Sequence, residues 1–381
     1  MPSNSMAKLL INASRIKYSV LDELFKDIKI QSDTVNLFID GHYLFYRLLK
    51  ESNASDVYAS EENEIIMEIV LAVLNTIGHY RRYIATRLGK SNRIFLVMNR
   101  KVPKYQGSLI HKYGKTHYET YDGTHKDYGP INVATEKAIE FISGLIPYFE
   151  DVFMIDSSGV EETVAMSYIM GCEEAQGDFN IIYTRNEMSF QLMDDHCVVL
   201  FPRRDESKII TAKTWSAYVT RTAKYEAPEI PVQYIPIYLS ICGLKCRDIP
   251  SCYLRGSVNA IKTIKNLIDS GEVKDDISGK VFLDVISNLK TKKERKPSAE
   301  EAEIMRLVYK AVYIPACIAA LTDAQKTKIL SSIYNLYDQV GLEKINEKLI
   351  EFDDVLDITN LNMNRVNTRN TFWNFDEEVF F

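Results

Sequence analysis

Five short apolar runs, separated by stretches with helical periodicity, constrain the fold of this chain more than any other feature. The runs lie at 35–39, 93–99, 151–156, 181–183 and 197–200. Between the first two, Glu62 to Arg87 carries apolar residues at the spacing of a helix, and helices are also predicted over Thr135–Phe149 and Val160–Met170. Buried strands that alternate with helices are typical of a parallel sheet with helices on both faces. We therefore predict an α/β fold with a mostly parallel sheet.

The rest of the chain divides around this predicted sheet. We expect an N-terminal extension (1–33), the α/β domain (34–212), a helical section (213–290) and a C-terminal helical region with a tail (291–381). Within the α/β domain, residues from about 101 to 130 are polar, basic and aromatic, which predicts a long loop or irregular cover. The charged segment KTKKERKPS, Lys290–Ser298, is the best candidate linker.

Composition sets limits on the class of protein. The net charge of −6 excludes a uniformly basic nucleic-acid-binding chain, so any basic surface has to be local. The sequence has no apolar run of 18 residues and no signal-peptide pattern, so we expect a soluble, cytoplasmic protein with no membrane partner. Its six cysteines form no CxxC pair, which favours reduced thiols over disulfides and disfavours a zinc site at Cys242, Cys246 and Cys252.

Five segments, taken in order, carry a resemblance to a known family. They are FIDGHYLFYR (38–47), IFLVMN (94–99), SSGVEETVAMSYI (157–169), TRNEMSFQLMDDHCVVLFP (184–202) and ICGLKCRDIPSCYLRGSVNAIKTIKNLI (241–268). Together they resemble the flap endonuclease/5′–3′ exonuclease family, which includes the phage and bacterial 5′ nucleases. The resemblance implies a PIN-like α/β domain, an arch at about 101–130 and a helix–three-turn–helix motif within 213–290. It also implies that Asp40 is the first metal-binding aspartate.

The resemblance also implies that most of the family's metal ligands are absent from this chain. Two-metal phosphodiester hydrolysis requires a dense cluster of oxygen ligands, mostly carboxylates. At the positions matched to the family's acids, the chain has Asn99, Thr163, Val164, Asn186, Met188, Leu244 and Arg247. Asp40 and Glu161 remain as candidate catalytic residues and metal ligands, and Asn186 could add a neutral oxygen. We therefore expect either no cofactor or a weakly bound Mg²⁺ or Mn²⁺.

Two alternatives remain open for these acids. Asp40 could simply cap the helix after the first strand, and Glu161 could complement the dipole of the next helix. Conversely, Glu162, Glu187 and Asp248 each lie one position from a lost ligand and could rebuild a site. A shift of one residue turns a side chain by about 100° on a helix, so rebuilding would require a local rearrangement.

Basic residues and tyrosines suggest a nucleic-acid-binding surface. The candidates are Arg81, Arg82, Arg100, Lys101, Lys104, Tyr121, Lys126, Lys262 and Lys265. Cations mixed with aromatic rings suit single-stranded DNA, because the cations contact phosphates while the rings stack on bases. A solvated surface loop whose tyrosines pack on the sheet is the alternative.

The C-terminal tail combines aromatic and acidic residues. Its aromatic residues are Phe372, Trp373, Phe375, Phe380 and Phe381. Such a tail resembles those by which phage replication and transcription proteins dock on a sliding clamp, a polymerase or another partner. The alternative is that the tail packs on its own C-terminal helices.

Our leading hypothesis is a catalytically impaired relative of the 5′ nucleases. It would bind branched or single-stranded DNA and recruit it to a viral or phage replication or transcription assembly. One alternative is an active, Mg²⁺- or Mn²⁺-dependent 5′ nuclease with a rearranged site. The other is a protein–protein scaffold that does not bind DNA.

Overall fold

The computed structural model describes most of the α/β region and part of the C-terminal region. The described residues are 16–41, 43–45, 62–99, 129–146, 149, 151–157, 159–172, 175, 178–202, 207–220, 226–244, 256–271 and 298–334. The chain forms two compact units. The first comprises 1–98, 126–156 and 329–381, and the second comprises 99–125 and 157–328.

The first unit contains three parallel strands. In chain order its elements are α1 (Tyr18–Phe25), β1 (Thr34–Asp40), α2 (Glu62–Thr86), β2 (Ser91–Met98), α3 (Gly129–Leu145) and β3 (Val152–Asp156). Strand β2 lies between β3 and β1. Asp40 is opposite Val97, and Met98 is opposite Asp156, so the carboxyl ends of these strands lie at one edge.

Aromatic residues form the centre of this unit. Phe38, Phe95 and Phe153 lie on adjacent strands, with ring centroids 4.7 and 4.9 Å apart and nearly parallel planes. Helices α2 and α3 pack against each other, and α2 also contacts β2. Strand residues buried on both faces explain why these five runs are mostly apolar.

The second unit contains the remaining strands and most of the described helices. Its elements are α4 (Glu162–Met170), β4 (Phe179–Tyr183), a 3₁₀ helix (Glu187–Leu192), β5 (Cys197–Phe201), β6 (Lys208–Ile210), α5 (Trp215–Thr220), a second 3₁₀ helix (Val232–Tyr234), α6 (Ile235–Cys242), α7 (Ser257–Asp269), α8 (Ala299–Val312) and α9 (Ile314–Ala319). Helix α10 (Asp323–Tyr334) follows at the end of the described chain. Strand β4 is parallel to β5, and β6 is antiparallel to β5.

The six strands belong to one mixed, mostly parallel sheet, so the predicted α/β fold class is confirmed. Two boundaries differ from the sequence prediction. Helix α4 starts at Glu162 rather than Val160, because Val160 belongs to a turn closed by its N–H bond to the Ser157 carbonyl. Helix α3 starts at Gly129, within the predicted loop, and Pro130 suits the first turn of a helix.

Other expectations are tested only in part. Cys172, Cys197, Cys242 and Cys317 are free thiols, as expected, whereas Cys246 and Cys252 lie outside the described residues. The centre of the proposed helix–three-turn–helix, 245–255, also lies outside them, although α6 and α7 flank it and contact each other. No helix in the described ranges has the length and apolar character needed to cross a membrane.

Candidate functional site

Asp40 ends strand β1 and is buried, with 3% of its surface exposed. Its Oδ1 accepts a hydrogen bond from the backbone N–H of Tyr43 at 2.9 Å. This is the geometry of a helix N-cap, and residues 41 and 43–45 are helical. Asp40 therefore has a structural role in the fold, whatever else it binds.

Asp156 is a second acid at the same edge of the first unit, and sequence reasoning missed it. It ends β3, two strands away from β1, which corresponds to about 10 Å between the backbones. The signal was present, because Asp156 follows an apolar run just as Asp40 does. At that separation the two carboxylates could share a metal ion only through long side-chain reach or water.

Glu161 lies in the second unit, where it is the N-cap of helix α4. It is 4% exposed, and its Oε2 accepts from the backbone N–H groups of Thr163 (2.7 Å) and Val164 (3.3 Å). Its Oε1 accepts from Asn186 Nδ2 at 2.5 Å and from the Thr163 hydroxyl at 3.4 Å. Both carboxylate oxygens are thus already hydrogen-bonded within the protein.

Asn186 completes this arrangement from the start of the first 3₁₀ helix. Its Nδ2 donates to Glu161 and also to Thr163 Oγ1 at 3.1 Å, while its Oδ1 accepts from the Met188 N–H at 3.0 Å. The amide orientation follows from these partners, because a backbone N–H can only donate. The amide oxygen therefore caps its own turn, and an NH₂ group faces the carboxylate. We call the bonded group of Glu161, Thr163 and Asn186 the Glu161 network.

Apolar side chains occupy the neighbouring positions that the family resemblance assigns to carboxylates. Val164, Met188 and Leu244 are at most 2% exposed, so they are part of the core of the second unit. The adjacent Glu162 is also buried, at 1% exposure, whereas Glu187 is half-buried and Asp248 lies outside the described residues. Packing in the core, rather than metal binding, therefore explains the residue types at positions 164, 188 and 244.

The Glu161 network does not fit a divalent metal ion. A Mg²⁺ ion needs several oxygen ligands at about 2.0–2.1 Å, and here the groups around the carboxylate present N–H and O–H protons. Across the described ranges, no group of three or more His, Cys, Asp or Glu side chains is arranged to hold a metal ion. The metal-ligand assignments for Asp40, Glu161 and Asn186 stay predictions.

Asn99 and Gln191 have roles that the sequence alone did not show. Asn99 Oδ1 accepts from the N–H of Gly159 at 3.1 Å, which fixes the turn that leads into α4. Gln191 Nε2 donates to the Val312 carbonyl at 2.8 Å, and its Oε1 accepts from the Ile314 N–H at 3.4 Å. Gln191 thus connects the 3₁₀ helix to the junction between α8 and α9, more than 120 residues later.

The described basic candidates fall at two different places. Arg81 and Arg82 are half-buried near the end of α2, where the Arg81 carbonyl accepts from Asn92 at the start of β2. They therefore lie at the edge of the first unit where its strands begin, called here the amino edge. Asp40 lies at the opposite edge, where the strands end. Lys262 and Lys265 lie on α7 in the second unit, and Lys265 forms an ion pair with Asp269.

Arg100, Lys101, Lys104, Tyr121 and Lys126 of the proposed arch lie outside the described residues, as does the tail from Phe372 to Phe381. Their roles stay predictions from the sequence.

The chain matches no protein-family model and no curated protein sequence. It is similar to solved structures of 5′ nucleases. The T5 5′-exonuclease with bound zinc ions is 10% identical, with a TM-score of 0.47, over 84% of this chain and 99% of that one. The bacteriophage T5 D15 flap endonuclease in complex with DNA and metal ions is 11% identical, with a TM-score of 0.45, over 85% and 99%. The catalytic core of Rad2 in complex with a DNA substrate is 12% identical, with a TM-score of 0.43, over 87% and 98%. At these identities and TM-scores the similarities say nothing about activity, so the function of this chain has to be argued from its own residues.

Proposed function

We propose that this protein binds branched or single-stranded DNA on a nuclease-like fold and does not hydrolyse it efficiently. The observation that carries the proposal is the Glu161 network. A carboxylate that could have held a catalytic metal ion instead caps a helix and accepts from a neutral amide. This local structure is complete without a metal ion.

The chemistry of phosphodiester hydrolysis supports this interpretation. Two metal ions have to be held close together while they activate water and neutralise the leaving oxygen. A metal ion at Glu161 would have to break the bonds from Asn186 and Thr163 and leave those donors buried, at a cost of about 1–3 kcal/mol for each unsatisfied group. Met188 and Val164 offer no oxygen in return. A weakly bound Mg²⁺ or Mn²⁺ at Asp40 is compatible with the proposal.

The small number of carboxylates at the matched positions supports the DNA-binding part of the proposal. Replacing carboxylates by neutral residues lowers the repulsion of phosphates, which favours holding DNA over cutting it. The basic and aromatic segment between Arg100 and Tyr128 has the composition of a single-strand-binding surface. Lys262 and Lys265 would add contacts to duplex phosphates. Recruitment to a viral or phage replication or transcription assembly through the tail completes the proposal.

A flap-DNA assay tests binding and cleavage together. A fluorescent 5′-flap DNA is titrated with the full-length protein in EDTA, Mg²⁺ or Mn²⁺, and anisotropy reports binding. A denaturing gel of the same samples reports cleavage. Single-stranded and blunt duplex DNA of equal length give the shape preference, and Asp40→Ala controls for a contaminating nuclease.

We expect binding that weakens steeply with salt in all three buffers, with no cleaved product above the EDTA background. Cleavage that needs Mn²⁺ or Mg²⁺ and is lost in Asp40→Ala would instead establish an active nuclease with a rearranged site. Absence of both binding and cleavage would favour the protein–protein scaffold. That alternative predicts that the full-length protein captures a replication protein and that deletion of 372–381 abolishes the capture.

A further inference from the structure

Arg185 lies at the edge of the second unit where strands β4 and β5 end. It follows Thr184, whose backbone N–H extends the strand pairing by bonding to the Leu200 carbonyl at 3.3 Å. The Thr184 hydroxyl then accepts from the Asn186 N–H at 3.0 Å. Thr184 and Asn186 are at most 2% exposed, whereas Arg185 between them is exposed. The backbone on both sides of Arg185 is therefore fixed, while its side chain is accessible.

The ring of Phe201 supports the Arg185 guanidinium. Phe201 ends β5 and is 2% exposed. Its ring packs against those of Phe190 and Tyr218, at centroid distances of 5.9 and 5.1 Å. The Cζ atom of Arg185 lies 5.9 Å from the Phe201 centroid, within the range of about 6 Å for a cation–π contact. A guanidinium held over a fixed ring keeps its N–H donors in one plane, and these donors match the oxygens of a phosphate group.

A second cation lies beside the same ring. Lys208 of β6 is directly opposite Phe201 in the antiparallel pair of β5 and β6. Residues in such a pair have their side chains on the same face of the sheet. Glu187, which is half-buried, is the acid nearest to Arg185 in the chain. Two cations therefore lie next to one ring, beside positions 186 and 188, which the family resemblance matches to acids.

We propose that Arg185, stacked on Phe201 and accompanied by Lys208, binds a phosphate of the DNA backbone without a metal ion. The inference rests on the proposed function and deepens it, because it assigns a DNA contact to this edge of the second unit. A guanidinium offsets the charge of a phosphate and donates paired hydrogen bonds to its oxygens. Unlike the metal ions of phosphodiester hydrolysis, it activates no water. Binding at this edge therefore needs neither Mg²⁺ nor Mn²⁺ and does not by itself cleave the DNA.

Arginine modification measures this contact in the wild-type protein. The full-length protein is treated with phenylglyoxal in EDTA, with and without saturating single-stranded or 5′-flap DNA, and each arginine peptide is quantified by mass spectrometry. We expect DNA to slow the modification of Arg185 at least about fivefold, because a bound phosphate covers the guanidinium. Arg87, which is exposed at the amino edge of the first unit, should be modified at the same rate with and without DNA.

Two substitutions separate charge from geometry, measured by anisotropy of the same DNA in EDTA over a series of salt concentrations. Arg185→Gln removes one phosphate contact, so we expect about tenfold weaker binding at 100 mM salt and a slope of log affinity against log salt smaller by about 0.7–0.9. Arg185→Lys keeps the charge and loses the planar fork, so the slope should stay at the wild-type value while the affinity falls about threefold.

Arg87→Gln is the matched control, because it removes the same charge from another exposed arginine. It should equal the wild type in both affinity and slope. Circular dichroism shows whether each variant is folded. For a variant that is not folded, the modification of the wild-type protein decides.

Three outcomes would overturn the proposal. If DNA binds and leaves the modification rate of Arg185 unchanged, the phosphates contact another surface. If Arg185→Gln binds DNA as tightly as the wild type, the guanidinium is dispensable. If Arg185→Gln and Arg87→Gln weaken binding equally, only net charge matters. In each of these cases the wild type still binds DNA, so the proposed function stands. Absence of wild-type binding would instead overturn the proposed function, and this inference with it.

Discussion

At the scale of single residues, Asn186 determines the character of the candidate site. Its amide can donate and accept at once, so it joins the Glu161 carboxylate to the Met188 N–H. An aspartate could accept from Met188 but would place a second negative charge against Glu161. Asparagine is therefore the residue that satisfies both neighbours in the absence of a cation.

Asn186→Asp should convert the site to one that needs a cation. Two buried carboxylates in contact repel, so we expect a loss of several kcal/mol of unfolding free energy at pH 7. The carboxyl pair takes up a proton more readily in the folded state than in the unfolded chain, so the loss should shrink as the pH falls to about 4–5. Mg²⁺ or Mn²⁺ should raise the melting temperature of this variant more than that of the wild type.

Asn180→Asp is the matched control for this measurement. Asn180 is also buried, but its amide donates to the Asp178 carbonyl rather than to a carboxylate. We expect it to be destabilised without a response to divalent cations. Equal cation responses in both variants, or none in either, would show that Asn186 does not substitute for a metal ion.

At the scale of elements, helix α9 carries a thiol, Cys317, that makes the stability of the protein sensitive to alkaline pH. The pKa of Cys317 is about 12 in the folded protein, against an ordinary value of 9.0. Above pH 9 the thiol ionises in the unfolded chain first, so the stability that depends on its protonated form is lost as the pH rises towards 12.

Cys317→Ala should therefore flatten the alkaline decline of stability. Urea unfolding between pH 8.5 and 10.5 should show a slope smaller by up to about 1.4 kcal/mol per pH unit than in the wild type. Other groups whose pKa is raised by burial, such as Cys197 and Tyr238, contribute equally to both proteins. An unchanged slope would mean that the pKa of Cys317 is not raised in the folded protein. Cys172→Ala removes another half-buried thiol, two residues after the end of α4, and controls for thiol removal itself.

Element boundaries show what the sequence could predict. The strands were predictable because residues such as Phe38 and Phe95 are buried on both faces and leave no polar alternation. Strand β6 was missed, because a strand of three residues that begins with Lys208 is too short to show the periodicity of a strand. The start of α3 was missed because Gly129-Pro130 is also typical of a turn.

The site was less predictable than the fold. The sequence identified Asp40, Glu161 and Asn186, but their hydrogen bonds depend on side-chain directions that spacing does not determine. The contact of Gln191 with Val312 and Ile314 joins residues more than 120 positions apart, and no local signal encodes it. The connection between the 3₁₀ helix and the α8–α9 junction could therefore be recognised only in three dimensions.

At the scale of the whole molecule, the basic candidates separate into two groups. Arg81 and Arg82 lie at the amino edge of the first unit, and a strand of seven residues separates that edge from Asp40 by about 20 Å. A phosphate group bound next to Asp40 would therefore not contact them. Lys262 and Lys265 occupy α7, next to the proposed helix–three-turn–helix.

Paired substitutions should distinguish these groups. We expect Lys262→Ala/Lys265→Ala to weaken flap-DNA binding several-fold at 100 mM salt and to lower the slope of log affinity against log salt by one to two. Arg81→Ala/Arg82→Ala removes the same charge and should leave the slope unchanged. The opposite result, measured by anisotropy, would move the DNA surface to the amino edge of the first unit.

Gly41 shows that packing alone can require the Asp-Gly pair at the end of β1. A Cβ atom at this position would lie 2.8 Å from the Val97 carbonyl and would overlap the Met98 side chain, so a larger residue would push β1 away from β2. Asp40 is likewise tied to the following turn. The demands of folding alone are therefore enough to retain this Asp-Gly pair, whether or not a metal ion binds nearby. The presence of such a pair at the end of a strand carries little information about activity.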